Sequence, residues 1–114
     1  MQRDPRAYLW DVLDAGQAIQ SFIGDMDVAS YKVNAMTQAA VERKFEIIGE
    51  ALNQFAKIRP ADAATISDLP QIVAFRNLLI HGYAVVNPGI VYATARRALP
   101  QLLADVQRLH SAFE

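Results

Sequence analysis

Apolar residues recur along this chain at steps of three and four, the spacing of one face of an α-helix. Three long stretches show this pattern, and a shorter helix is predicted between the second and the last of them. Strand-like alternation is lacking, and the nearest candidate is the short run from Tyr83 to Val86. The predicted apolar faces are Tyr8, Val12, Ala15, Ile19 and Phe22 in the first helix; Val41, Phe45, Ile48, Leu52 and Phe55 in the second; and Val91, Ala95, Ala98, Leu102, Val106, Leu109 and Phe113 in the last.

Capping residues mark where the long helices begin and end. Asp4 before a proline predicts the start of the first helix, and Gly24 predicts its end. Pro60 stops the second helix. Asn87, again followed by proline, caps the last helix, and Pro100 inside that helix removes one backbone donor and predicts a kink.

The third helix is shorter and is predicted from its own end signals. Asp68 followed three residues later by Gln71 resembles a capping box. Gly82 predicts the end of this helix in a left-handed conformation. Residues 27–36 are predicted to contain a short turn capped by Asp27, after which Asn34 or Thr37 starts the second long helix. Together these elements predict an all-α, up-and-down four-helix bundle.

Length and composition agree with one helical domain spanning residues 1–114. The chain of 114 residues is 53% hydrophobic, which suits a compact core, and it has no cysteine. No apolar run is long enough to cross a bilayer, and the first residues lack a signal-peptide pattern. We therefore expect a cytoplasmic protein with no membrane contact.

The charge balance argues mildly against nucleic-acid binding over the whole surface. Eleven basic residues stand against twelve acidic ones, a net charge of −1. Any contact with RNA phosphates must therefore come from a local cluster. The candidate basic pairs are Arg43 with Lys44, Lys57 with Arg59, and Arg96 with Arg97.

The segment RNLLIHGY concentrates polar side chains that a helical core does not require. Asn77 and His81 are four residues apart and share a helix face. Arg76 and His81 are five apart, an offset of about 140° on an ideal helix. They can meet on one ligand only if the helix end lets His81 swing, or if a second copy of the chain faces the first.

Arginine and histidine together suit phosphate chemistry. A guanidinium pairs with phosphate and stays charged, and an imidazole takes or gives a proton near neutral pH. Attack by the RNA 2′-hydroxyl needs both a base and an acid. One protomer supplies a single histidine here, because His110 is on the last helix, so a two-fold dimer pairing the third helices fits better. From spacing alone, Arg76 and His81 could also simply pair with carboxylates or cap carbonyls.

RNLLIHGY resembles the Arg-x-x-x-x-His motif of HEPN domains, in the Arg-Asn-x-x-x-His-x-Tyr form of HepT-like proteins. The second helix, AVERKFEIIGEAL, is similar to a segment of that family ending in Ile-Gly-Glu-Ala. The order of these elements and the Asn-Pro start of the last helix also match, so the resemblance covers nearly the whole chain.

The resemblance implies the toxin of a type II-like toxin–antitoxin pair. Its members are helical dimers and metal-independent endoribonucleases with the motif in a cleft between protomers. Arg76 and His81 would be the catalytic pair and Asn77 would position the histidine or the phosphate. Tyr83 would accept AMP from an MNT-type nucleotidyltransferase antitoxin, which blocks RNA cleavage. No cofactor and no metal are implied.

Other interpretations remain open for the acidic residues of the second helix. Glu46 and Glu50 are four apart and are predicted to form a solvated face with Arg43 or Lys57 as partners. Alternatively, Glu50 orients Arg76 or His81. A metal site at this carboxylate pair is rejected because partner ligands are lacking nearby.

Two rival functions also remain. One is a non-catalytic HEPN module that binds a nucleotide, RNA or a protein partner. The other is a structural helical dimer whose arginine and histidine only join the interface. Trp10 could serve as a dimer or partner contact, or belong to the core.

Overall fold

A computed structural model describes residues 3–82 and 86–113. Its regular structure is helical in both ranges, which confirms the all-α prediction. A π-helical turn, Thr94–Ala98, separates the last two helices. The helices are α1 (Pro5–Ile23), α2 (Val28–Lys32), α3 (Ala35–Ile58), α4 (Pro60–Ala63), α5 (Leu69–His81), α6 (Pro88–Ala93) and α7 (Leu99–Ala112).

Helix α3 is at the centre of the bundle. It packs against α1 on one side and α5 on another, while α7 packs on α1. The short helices α2 and α6 contact each other. The α3 face predicted from sequence is buried throughout, from Val41 to Phe55. The contact with α3 thus determines the position of α5, the helix that carries Arg76 and His81.

Most predicted caps are present. The side chain of Asp4 accepts a hydrogen bond from the Arg6 N–H at 2.9 Å, and Asn87 accepts one from the Gly89 N–H at 2.8 Å. Asp27 caps α2, and Gly24 follows the end of α1. Helix ends are thus well encoded locally, because each cap satisfies an orphan amide with a nearby side chain.

The end signals of α5 behave differently from the prediction. Asp68 does precede the helix, but its φ of 59° is left-handed and its side chain makes no capping hydrogen bond. Gly82 follows the helix with a φ of −111°, so the prediction that this glycine adopts a left-handed conformation is wrong. The strand candidate from Tyr83 lies outside the described residues, except for Val86, which has no regular structure.

The buried face of α1 is wider than predicted. Leu9, Leu13 and Ile23 are buried, whereas Phe22 is 41% exposed. The reason is that α3 and α7 cover α1 from two directions, so more than a single stripe is enclosed. Trp10 is 55% exposed, and the interpretation of this residue as core is therefore wrong.

The last helix changes to a π-helical turn just before Pro100, where the sequence predicted a kink. The Leu99 N–H bonds to the carbonyl of Thr94, five residues back, and this wider turn precedes the proline. As a result Leu99 is buried while Ala98, which the simple helical period placed in the core, is exposed.

Arg96 on this turn bonds to the end of α1. Its guanidinium donates to the carbonyls of Gly24 at 2.7 Å and Met26 at 3.1 Å. The hydroxyl of Tyr92 donates to the same Met26 carbonyl at 2.7 Å. The turn therefore links the last quarter of the chain to the loop after α1. None of the described helices is both long and apolar enough to cross a membrane.

Candidate ribonuclease site

Arg76 lies where α5 approaches α3 most closely. The facing residue on α3 is Gly49, and a Cβ placed there would be 2.2 Å from the Cβ of Arg76 and 2.6 Å from its Cγ. Such distances are far inside van der Waals contact. The glycine therefore makes room for the base of the arginine side chain, which gives the Ile-Gly-Glu-Ala segment a physical reason.

Two side chains hold the guanidinium of Arg76. Nη2 forms an ion pair with the Glu50 carboxylate, and Nη1 donates to Oδ1 of Asn77 at 2.7 Å. Glu50 also accepts from the side chain of Gln54 at 3.1 Å. The favoured prediction that Glu50 pairs with Arg43 or Lys57 is therefore wrong, and its alternative, a contact with Arg76, is what the structure contains.

The third nitrogen of the Arg76 guanidinium, Nε, has no partner in the described residues. This nitrogen is also buried. A buried N–H without a partner costs roughly 1–3 kcal/mol. The guanidinium is thus fixed by two partners and still has hydrogen-bonding capacity.

His81 is in the last turn of α5 and is exposed. Within residues 3–82 and 86–113 its imidazole forms no hydrogen bond or ion pair, so the structure brings Arg76 together with Asn77 and Glu50 but not with His81. Tyr83 lies outside the described residues. Within the described residues, the predicted catalytic pair is therefore an arginine held by two side chains and a histidine with no side-chain partner, on the same helix.

A cleft of about 340 Å³ opens beside Arg76, between α1, α3 and α5. Two further arginines line it, Arg43 from α3 and Arg3 from the segment before α1. The Arg3 guanidinium lies 4.7 Å from the centre of the Tyr8 ring and pairs with Asp11 at 2.8 Å. The lining residues are Arg3, Tyr8, Asp11, Arg43, Glu46, Ile47, Glu50, Ala51, Arg76 and Ile80.

The basic pairs named from sequence do not all gather at this cleft. Arg59 pairs with Asp62 at 2.7 Å, and Arg96 is bonded to backbone carbonyls. Only Arg43 among them lines the cleft, while Arg3 was missed. In the sequence Arg3 stands just before the cap of α1, and this position does not indicate that its side chain would lie near α3.

The carboxylates of the cleft are not grouped as metal ligands. Among residues 3–82 and 86–113, no three histidine, aspartate or glutamate side chains are arranged to hold a metal ion. The cleft contains three guanidinium groups, three carboxylates and one aromatic ring, next to the helix end that carries His81. A nucleotide base stacks on aromatic rings and guanidinium planes, and guanidinium groups bind phosphate.

These features define a class of protein, an all-α bundle in which one helix carries the Arg-x-x-x-x-His arrangement and packs on a helix with Gly-Glu. The ribonuclease HepT-like family model matches residues 12–109, and the chain belongs to that family.

Curated relatives support the assignment over nearly the whole length. The chain is 30% identical over 112 residues to the protein named "Putative RNase MJ1380" of Methanocaldococcus jannaschii, covering 93% of this chain and 96% of the relative. It is 29% identical over 115 residues to "Probable ribonuclease HepT" of Thermococcus cleftensis, covering 96% and 98%. No solved structure matched the chain.

Proposed function

We propose that this chain is a metal-independent endoribonuclease, acting as the toxin of a toxin–antitoxin pair, with Arg76 and His81 as its catalytic residues at a dimer cleft. The observation that carries the proposal is the Arg76 guanidinium, held by Glu50 and Asn77 at the wall of a nucleotide-sized cleft. Membership of a family whose relatives are named as ribonucleases supports the choice of RNA as substrate.

The proposed reaction is attack by the 2′-hydroxyl on the adjacent phosphorus. A neutral histidine takes the proton of the 2′-hydroxyl while the O2′–P bond forms. A protonated histidine gives a proton to O5′ while the P–O5′ bond breaks. The products are a 2′,3′-cyclic phosphate and a 5′-hydroxyl. Arg76 stabilises the charge that develops on the phosphate oxygens.

The reaction requires two histidines, and a second copy of the chain would supply the other His81. The outer face of α5 supports such a dimer. Leu79 is the only fully buried residue of α5, yet the exposed positions of this helix carry no lysine, arginine, aspartate or glutamate. An apolar or neutral helix surface is typical of an interface. The exposed residues are Pro70, Gln71, Ala74, Asn77, Leu78 and His81.

In this proposal Glu50 and Asn77 are positioning residues. Both contact the guanidinium, which restricts Arg76 to one orientation before RNA arrives. Replacing Glu50 by glutamine removes the charge and keeps the shape, so we expect slower cleavage with the fold intact.

Tyr83 is proposed as the site of control, on the strength of the motif alone. An MNT-type nucleotidyltransferase antitoxin would transfer AMP to its hydroxyl, releasing pyrophosphate from ATP. The added phosphate would compete with RNA for the arginines. Mass spectrometry of the chain co-expressed with such an enzyme tests this, and the absence of an AMP adduct on Tyr83 would reject it.

The central experiment is cleavage of a single-stranded RNA by pure protein in the presence of EDTA. We expect wild-type protein to cut and to leave cyclic phosphate ends. His81→Ala and Arg76→Ala should lose on the order of 10²–10⁴-fold in rate while circular dichroism stays unchanged. RNA left intact by the wild-type protein, or cut equally well by His81→Ala, rejects the proposal.

The same contacts of Arg76 also fit the rival function, a non-catalytic HEPN module that binds a nucleotide, RNA or a protein partner. Arg76 is already engaged by Glu50 and Asn77, as expected of an arginine that only joins α3 to α5. Under that function, Arg76→Ala would lower stability, and His81→Ala would change neither stability nor growth inhibition in cells.

A further inference from the structure

We propose that the cleft beside Arg76 is a subsite for one unpaired nucleotide of the RNA, with its base against Tyr8 and Arg3 and its phosphate toward Arg43 and Arg76. The inference rests on the proposed function, since it adds a substrate contact to the same site. It assigns a binding role to Arg3 and Tyr8, which are far in sequence from the motif.

The size and lining of the cleft fit such a ligand. Its volume of about 340 Å³ is at the small end of ligand pockets, which suits a single nucleotide better than a duplex. Ile47, Ala51 and Ile80 provide an apolar surface, and three arginines provide donors. Three carboxylates, Asp11, Glu46 and Glu50, also line the cleft. Arg3 and Arg76 are paired with Asp11 and Glu50, so Arg43 is the lining arginine that has no ion pair within the described residues and is available to a phosphate.

Tyr8 and Arg3 supply the stacking surface. The guanidinium lies over the ring at 4.7 Å, and Asp11 fixes it there with a bond of 2.8 Å. Unpaired RNA bases stack on aromatic rings and on guanidinium planes. The Tyr8–Arg3 pair offers both at one edge of the cleft, held in place by a carboxylate.

Arg43 completes the arrangement from α3. Its side chain is exposed, and within the described residues it forms no hydrogen bond or ion pair. Arg76, held by Glu50, lines the same cleft. A phosphate beside Arg43 would thus lie in the cleft that contains the group proposed to stabilise the reacting phosphate.

The test is binding of a short 2′-O-methyl RNA, which has no 2′-hydroxyl and cannot be cleaved, measured by fluorescence anisotropy. Tyr8→Leu and Arg3→Gln should each weaken binding on the order of tenfold, and Tyr8→Phe should retain it. Arg97→Gln is the matched control, because it removes one exposed positive charge on the π-helical turn, away from the cleft. It should change binding by less than about twofold.

The outcomes separate the two proposals. If the protein cleaves RNA but Tyr8→Leu and Arg3→Gln bind the oligonucleotide like wild type, the subsite is wrong and the nuclease stands. If RNA is not cleaved but binding depends on Tyr8 and Arg3, the subsite stands and the nuclease is wrong. Should Tyr8→Leu unfold, Arg3→Gln decides alone, since Arg3 is exposed.

Discussion

Gly49 is the residue on which the position of Arg76 most directly depends. A methyl group there would collide with the Cβ of Arg76 at 2.2 Å, and a Cβ cannot move without moving the α5 backbone. At Gly16 the corresponding collision, at 2.4 Å, is with the terminal methyl of Leu103, which a rotamer change can move. The two helical glycines therefore differ in what a substitution must displace.

We expect Gly49→Ala to lower the free energy of unfolding by about 1–3 kcal/mol and to reduce RNA cleavage, because α5 must shift. Gly16→Ala should stay within about 1 kcal/mol of wild type, since the gain in helix propensity offsets the adjustment of Leu103. Chemical denaturation of both variants measures this. Equal stability losses in the two would contradict the close-contact explanation.

Asp105 makes the stability of the fold depend on pH in the acidic range. Its carboxylate is nearly buried and accepts hydrogen bonds at 3.0 Å from the Ser67 N–H and from the Gln101 side chain. The hydrogen bond from the Ser67 N–H is the main reason why the pKa of Asp105 is below its ordinary value. The hydrogen bond from Gln101 and the positive charge of Arg108 lower this pKa further. A lowered folded-state pKa means stability that is present above the unfolded pKa and is lost as pH falls through the folded one.

For Asp105→Asn we expect a loss of about 1–3 kcal/mol at neutral pH, because the charged acceptor is removed. The difference from wild type should begin to narrow below about pH 4, where the unfolded chain takes up a proton at this carboxyl, and should narrow further as the pH falls through the lower folded-state pKa. Denaturation at several pH values measures it, with exposed Asp14→Asn as control. A difference that stays constant down to pH 3 would exclude the proposed linkage.

For individual residues, the sequence showed which side chains are unusual for a helical core better than it showed which side chains they contact. Arg76, Asn77 and His81 stand out in an apolar helix, and the motif identified them. The partner of Glu50 was chosen wrongly because helical spacing points to neighbours within the same helix, whereas Arg76 is 26 positions away. Arg3 was missed for the same reason, since its place at the cleft depends on tertiary packing.

Among the elements, α3 and α5 begin in different ways. Asn34 caps α3 by accepting from the Thr37 N–H at 2.9 Å. Asp68 occupies the same position before α5 but adopts a φ of 59° and makes no cap. A left-handed conformation is unfavourable for a residue with a Cβ, and glycine avoids that cost.

The two cap positions should therefore respond oppositely to substitution. Asn34→Ala should lower the free energy of unfolding by about 1 kcal/mol. Asp68→Gly should raise it by about 0.5–1 kcal/mol, because it relieves backbone strain and removes no hydrogen bond. Thermal unfolding of both variants checks the signs, and a clear loss in Asp68→Gly would mean that Asp68 does form a cap.

The elements themselves were largely predictable. Most of their starts, ends and apolar faces follow from caps and from the helical period, and every position predicted for the α3 core is buried. The exceptions have a physical cause. A regular period cannot represent the π-helical turn, so Ala98 was predicted in place of Leu99. Nor can it anticipate two helices covering α1 from different sides.

At the scale of the whole molecule, the proposed dimer through α5 can be tested directly with variants of its exposed face. Leu78 is 45% exposed in the neutral outer face of α5. Leu78→Glu places a charge there and should yield a monomer with little ribonuclease activity, because a buried unpaired charge is costly. Val33→Glu is the control, since Val33 is 86% exposed near α2 and should leave the dimer intact.

Analytical ultracentrifugation of these variants at micromolar concentration decides the question. A wild-type protein that is already monomeric, or a Leu78→Glu variant that remains dimeric and active, would remove the paired-histidine mechanism. The sequence alone suggested the dimer from the count of histidines. The absence of charge on the exposed side of α5 required the structure, because only packing on α3 shows which side is free.

The hydrogen bonds of Arg96 to Gly24 and Met26 have a consequence for the order of folding. They join residues 72 and 70 positions apart, so closing this long loop costs entropy and we expect the bonds to form late in folding. Interactions made late in folding oppose unfolding more than they speed folding. In stopped-flow measurements, Arg96→Gln should unfold several-fold faster and refold at nearly the wild-type rate. This side chain would thus determine how long the native bundle persists more than how quickly it forms.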